Sequence, residues 1–260
     1  MASRRGRAHK AGMVPLLGLL PGLLAQTLVV RPAVADEKEL LADTFAGKEM
    51  GGRPGPWLYF TDDGNDAVVA QAPDLQTSET LAIGGRCLKL TRTGGTVWKP
   101  MVSGWAAGEP DSPIRLELDW YLPVLSDGAH PIFVVTLRGD GNINTVQVAL
   151  GGPGGVAVPQ GGDDWVPLGF PLRAGQWGHL LIVADPISRK AEGAFDLAIS
   201  QGQERAECPN TPFRPDYYGN YPEALWYTPT FHVGGGSPEH PREACVTNVK
   251  LTTTSPREYR

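Results

Sequence analysis

Ile114-Arg115-Leu116-Glu117-Leu118-Asp119-Trp120-Tyr121-Leu122 is the stretch that decides the fold. Apolar and polar residues alternate along it, which is the signature of a β-strand with one face buried and one face polar. A helix would instead group its apolar residues three and four apart. The flanking sequence repeats the pattern. Ala67–Ala70, Cys87–Thr91, Thr96–Val102, Thr145–Leu150, Gly155–Val158, Gln176–Ala184, Gly193–Ser200 and Ala244–Thr253 all read as strands. Pro131–Leu137 is continuously apolar, as expected of a central strand covered on both faces. The chain has 33 glycines and 24 prolines, enough punctuation to join many short strands by turns. Helical periodicity is confined to Glu37–Phe45, where a turn or two of helix is expected.

Strands at this density without crossover helices predict antiparallel sheets packed as an all-β sandwich or jelly roll. One stretch, Glu204–Glu243, interrupts the rhythm with prolines and tyrosines. It is expected to be a long ordered excursion from the sandwich, of the kind that often carries function.

The N-terminus has the grammar of an export signal. Arg4, Arg5, Arg7 and Lys10 form a basic head, and Ala11–Val30 is an uncharged, leucine-heavy run. Ala33-Val34-Ala35 is a small-x-small cleavage site followed by Asp36-Glu37. Residues 1–35 are therefore expected to be removed, leaving one domain, 36–260, that is secreted or periplasmic. An uncleaved anchor is the competing reading, but Pro15, Gly18, Pro21, Gly22 and Gln26 dilute the run. No second apolar span follows, so no membrane partner is expected after cleavage.

Net charge is −5 with no cluster of Lys and Arg, which argues against a nucleic-acid partner. The three cysteines are Cys87, Cys208 and Cys245. Cys208 and Cys245 lie in turn-like, proline-bearing surroundings and are expected to form a disulfide, which export permits. Cys87 sits in a strand-like alternation and reads as a buried free thiol.

The order of short motifs resembles the concanavalin A-like lectin/glucanase jelly rolls of exported bacterial proteins, including the LamG and glucanase-like domains. Asp43-Thr44-Phe45 matches the opening "D-x-F", and Gly175-Gln176-Trp177 the start of a back-sheet strand. Asn248-Val249-Lys250-Leu251 matches the closing "N-V-x-(I/L/V)". The resemblance implies a concanavalin A-like β-sandwich and makes glycans the expected class of partner. Its catalytic branches do not carry over. The glucanase strand E-x-D-x-x-E, which supplies a nucleophile and an acid/base about 5 Å apart, is matched at Glu117 and Asp119, but Leu122 occupies the third place. In the alginate-lyase-like strand Q-(I/V)-H, Gln147-Val148-Ala149 has alanine for the histidine.

Glu117 and Asp119 share a face by period two and stand as catalytic candidates; a solvated sheet face is the alternative. Asp140, Asn142 and Asn144 offer oxygen ligands at alternate positions, as a calcium loop does. Thr145 stands where that loop needs glycine, and an Asp-Gly hairpin turn accounts for the same residues. Calcium is the one cofactor so suggested. His179 reads as a hydrogen-bonded structural residue. Tyr217, Tyr218, Asn220, Tyr221 and Trp226 combine flat rings with polar neighbours, the chemistry that stacks on and bonds to sugars. Trp57, Trp98, Trp120, Trp165 and Trp177 are expected mostly in the core. The reading is a secreted, non-catalytic carbohydrate-binding domain, with a polysaccharide-degrading enzyme or a cell-surface interaction module as alternatives.

Overall fold

Among the described residues, fifteen strands form two antiparallel sheets and no helix occurs. The computed structural model describes residues 37–73, 85–94, 99–104, 113–127, 130–138, 144–161, 164–184, 194–212, 228–235 and 239–253. All fall in one compact unit, Ala35–Arg260. The export signal, the candidates Asp140 and Asn142, Trp98 and the whole tyrosine–tryptophan cluster from Tyr217 to Trp226 lie outside the described residues.

The strands are β1 (Lys38–Asp43), β2 (Trp57–Phe60), β3 (Asn65–Gln71), β4 (Arg86–Arg92), β5 (Met101–Gly104), β6 (Ile114–Tyr121), β7 (Phe133–Arg138) and β8 (Asn144–Gly152). They continue with β9 (Gly155–Gly161), β10 (Asp164–Pro167), β11 (Trp177–Ala184), β12 (Ala194–Gln201), β13 (Glu204–Pro212), β14 (Thr228–Val233) and β15 (Arg242–Thr253). The eight-stranded sheet runs β13-β12-β11-β6-β15-β4-β3, with β1 also on β15. The seven-stranded sheet runs β10-β9-β8-β7-β14-β5-β2. β15 is long enough to serve two neighbours on one side, pairing β4 through Arg242–Val246 and β1 through Val249–Thr253.

The alternation in β6 is realised as the sequence predicts. Ile114, Leu116, Leu118 and Trp120 are fully buried between the sheets, and Arg115, Glu117, Asp119 and Tyr121 stand on the other face. In β7, Phe133, Val135 and Leu137 enter the core while Val134 and Thr136 are buried on the far face, so both faces are indeed covered. An aromatic chain runs through the core: ring centroids are 5.9 Å apart for Phe45–Trp57, 5.5 Å for Trp57–Phe231 and 6.1 Å for Phe133–Phe231. Such tilted contacts add to the area that each ring buries.

The short motifs have physical reasons. Asp43 accepts the Phe45 N–H at 2.8 Å and the Trp57 indole N–H at 3.0 Å. That carboxylate holds Phe45 in a left-handed turn (φ 56°) and inserts its ring fully into the core. Gly178 on β11 stands opposite Trp120, where a Cβ would lie 2.2 Å from the indole. Only glycine leaves room for that ring.

Two expectations are corrected. Lys38–Asp43 is a strand rather than a helical turn, because pairing with the C-terminal strand overrides local propensity. The stretch 204–243 is not wholly an excursion, since strands β13 and β14 lie within it. β13 accommodates Pro209 and Pro212 as an edge strand. β14 is internal but places Pro229 just beyond its last pair with β5, Thr230 to Ser103. The tryptophans are mostly buried as expected: Trp57, Trp120 and Trp177 are at most 5 % exposed, and Trp165 is half-buried on the outer face.

Candidate functional site

The face of the seven-stranded sheet turned away from the core carries a row of uncharged polar side chains. Ser103 on β5 stands opposite Thr230 on β14, Thr230 opposite Thr136 on β7, and Thr136 opposite Gln147 on β8. A sandwich needs only apolar residues facing its core, so polar residues in register on four neighbouring strands mark this face as distinct. Ser103 is 8 % exposed, Gln147 2 %, and Thr136 and Thr230 1 % each. Buried polar groups require partners, and here they find one another. The Ser103 and Thr230 hydroxyls lie 3.0 Å apart, and the Gln147 amide donates to the Thr136 hydroxyl at 3.4 Å.

Rings close both ends of this face. Trp165 on β10 pairs in register with Pro159 and packs against Val134, Ala149 and Ala157. At the opposite edge, Leu58 and Phe60 of β2 are exposed. The neighbouring row holds Met101, His232 and Val134. Burial, with Arg138 and Arg92 nearby, pushes the His232 imidazole down to about 4, so at neutral pH it is uncharged. No Asp or Glu occupies either row among the described residues. The hydroxyl and amide row thus lies beneath the surface, and the more exposed groups of this face are the neutral His232 imidazole, the Trp165 indole, Leu58 and Phe60. That chemistry suits neutral, hydroxyl-rich ligands.

Glu117 and Asp119 lie on the outer face of the other, eight-stranded sheet. Glu117 is ion-paired with Arg115 and stands opposite Lys250. Asp119 is 2 % exposed, and both of its oxygens are engaged. Oδ1 lies 2.8 Å from His179 Nδ1, and Oδ2 accepts from the Asn248 amide at 2.6 Å. His179 is directly opposite Asp119 in register. Asn248 reaches it from a bulge in β15, where its φ is 49°. His179 is thus hydrogen-bonded as the sequence reading expects. Its partner Asp119 and the Asn248 amide were not foreseen as a network. Asn248 of the closing motif was the available signal.

Asn144, the third calcium candidate, begins β8 opposite Arg138 in backbone register. The expected Cys208–Cys245 disulfide is not formed. Cys208 is on β13 and Cys245 on β15, with β12, β11 and β6 between them. Four strand spacings of about 4.8 Å place the two backbones about 19 Å apart, far beyond the reach of a disulfide.

No known family profile matches the chain, and no curated protein matches it in sequence. Solved structures do match. A sialidase superposes with a TM-score of 0.56 at 14 % identity, covering 82 % of this chain and 18 % of the sialidase. The lectin UEA-II, solved in complex with galactose, gives 0.51 at 10 % identity, covering 85 % of this chain and 100 % of the lectin. Arcelin-5, a lectin-like defence protein from Phaseolus vulgaris, gives 0.50 at 8 % identity, covering 85 % and 99 %. The two antiparallel sheets and these likenesses define the fold: an all-β jelly-roll sandwich of the kind seen in concanavalin A-like lectins.

Proposed function

We propose that residues 36–260 form an exported, non-catalytic carbohydrate-binding domain that engages glycan on the outer face of the seven-stranded sheet. The observation that carries this reading is the half-buried Trp165 and the exposed Leu58 and Phe60 bordering an outer face whose in-register polar row, Ser103–Thr230–Thr136–Gln147, lies just beneath the surface. Hydroxyl and amide groups exchange hydrogen bonds with sugar hydroxyls, and an indole stacks on the C–H face of a pyranose. The resemblance to lectins supports the same ligand class, and the N-terminal signal supports the location. Tyr217, Tyr218, Asn220, Tyr221 and Trp226 are the proposed further contacts, on the chemistry of their side chains.

A glycan array spanning plant, algal and host polysaccharides, probed with residues 36–260, tests the proposal. Binding that weakens at least tenfold in Trp165→Ala or Trp226→Ala, with melting temperature retained, is the expected result. No binding to any glycan refutes it. Release of reducing ends that disappears in Glu117→Gln would favour the enzymatic alternative.

A further inference from the structure

One end of the sandwich gathers positive charge between the two sheets. Arg92 ends β4 and Arg242 begins β15, and the two stand directly opposite each other in register. Both point inward, since Leu90 and Ala244, two residues along their strands, belong to the main core. Arg92 is 6 % exposed, and its Nη1 donates to the Lys99 carbonyl at 2.9 Å and to the Val233 carbonyl at 3.4 Å. Arg242 is half-buried and donates to the His130 carbonyl at 3.4 Å. Its guanidinium lies against Gly235, where φ is 70° and a Cβ would stand 2.8 Å from Nη1. Both guanidiniums therefore meet the short segment Val233–Gly235 at the end of β14, and backbone holds each in place.

Like charges directly opposite in a ladder repel, and burial raises the cost of a cation without a counter-charge. Lys99 adds a third positive group. Among the described residues, the carboxylate set against them is Asp62, which Lys99 Nζ approaches to 4.0 Å and the Asn65 amide also engages. Glu243, the next residue on β15, faces the other side of the sheet and pairs with Lys89. Burial first, and then the Arg242 charge, hold the Arg92 guanidinium below its ordinary range against the opposing pull of Asp62. Three cations against one carboxylate leave an excess of two positive charges. The guanidinium fork matches the geometry of an oxyanion.

We propose that this end of the sandwich binds a doubly charged tetrahedral oxyanion, sulfate or phosphate, gripped by Arg242, with Lys99 at the rim and Arg92 supplying buried charge beneath. The anion supplies the counter-charge that the opposed arginines call for, and it joins the ends of the two sheets through groups both sheets contribute. The site is separate from the glycan face and does not rest on the carbohydrate-binding reading.

The test is isothermal titration calorimetry of residues 36–260 at neutral pH with sodium sulfate, inorganic phosphate and sodium acetate at matched ionic strength. It is repeated on Arg242→Gln, on Lys99→Gln and on Arg173→Gln, a charge-matched control at an exposed ion pair with Glu204. Sulfate or phosphate should saturate a single site. At ten times its dissociation constant the bound anion should raise the melting temperature by about 3–6 °C. Arg242→Gln should weaken binding by about tenfold or more, Lys99→Gln by a smaller factor, and Arg173→Gln not at all. Glucose 6-phosphate against inorganic phosphate then tells a sugar-borne oxyanion from a free one, and either order leaves the site assigned. No saturable binding of sulfate or phosphate, acetate binding as tight as theirs, or equal losses in Arg242→Gln and Arg173→Gln overturns the proposal and leaves the arginines as a clamp between the sheets. Should Arg242→Gln fail to fold, the wild-type and Lys99→Gln titrations decide the matter. Inorganic ions carry the readout, so its failure is distinguishable from failure of the glycan reading.

Discussion

Replacing Asp119 with alanine separates a structural carboxylate from a catalytic one. Asp119 is almost fully buried and makes two side-chain contacts, at 2.8 Å to His179 and 2.6 Å to Asn248. A hydrogen bond to a charged group contributes about 1.5–3 kcal/mol, and leaving a buried partner unsatisfied forfeits a similar amount. The Asn248 amide is the partner left behind, half-buried, so only part of that second amount applies, on a residue already held at φ 49°. Without Asp119 that left-handed backbone keeps its cost, of order 1 kcal/mol, and loses the contact that offsets it. The sum is a loss of about 3 kcal/mol, and in a domain of this size each kcal/mol lowers the melting temperature by about 2–4 °C. Asp119→Ala should therefore melt about 6–12 °C below the wild type in differential scanning calorimetry. Asn248→Gly should lose only about 1 kcal/mol, because glycine takes positive φ without strain. In a double-mutant cycle with Asn248→Ala the coupling should exceed about 1 kcal/mol. A melting shift under about 2 °C, or additive behaviour in the cycle, would refute the network.

Other consequences are equally direct. Gly178→Ala places a Cβ 2.2 Å from the buried Trp120 ring, so overpacking should cost about 3 kcal/mol and alter the near-ultraviolet dichroism of that indole. His232 has its imidazole lowered to about 4, against 6.5 when unfolded. Its contribution to stability is fully present above pH 6.5 and is lost as pH falls toward 4. Unfolding free energies from urea titration should fall across that window by up to about 3 kcal/mol, and His232→Gln should flatten the profile. Asp43→Asn weakens the acceptor shared by the Phe45 backbone and the Trp57 indole, and should cost about 1–2 kcal/mol in the same assay.

The sandwich was legible wherever one segment carried its own periodicity. β6 and β12 alternate cleanly because each buries one face, and β7 is apolar but for Thr136 and the terminal Arg138 because both of its faces are covered. What escaped was information held in strand order. Lys38–Asp43 contains good helix formers, and nothing local announces its pairing with Thr253 at the other end of the chain. Cys208 and Cys245 lie in similar turn-like sequence, yet four strand spacings separate them, whereas Cys87 lies on the strand next to Cys245. The candidate site shows the same limit. Ser103, Thr136, Gln147 and Thr230 are scattered through four apolar segments and become a row only through register. His179 could be read as hydrogen-bonded, but Asp119 as its partner depends on the β6–β11 alignment.

The most direct test of the central claim is a titration of residues 36–260 with a binding glycan, followed by nuclear magnetic resonance at the side-chain N–H signals. Glycan binding on the seven-stranded sheet predicts saturable shifts of the Trp165 indole and the Gln147 amide, with the Asn248 amide on the opposite sheet unchanged. Shifts confined to Asn248 and its neighbours, with Trp165 and Gln147 unmoved, would contradict it.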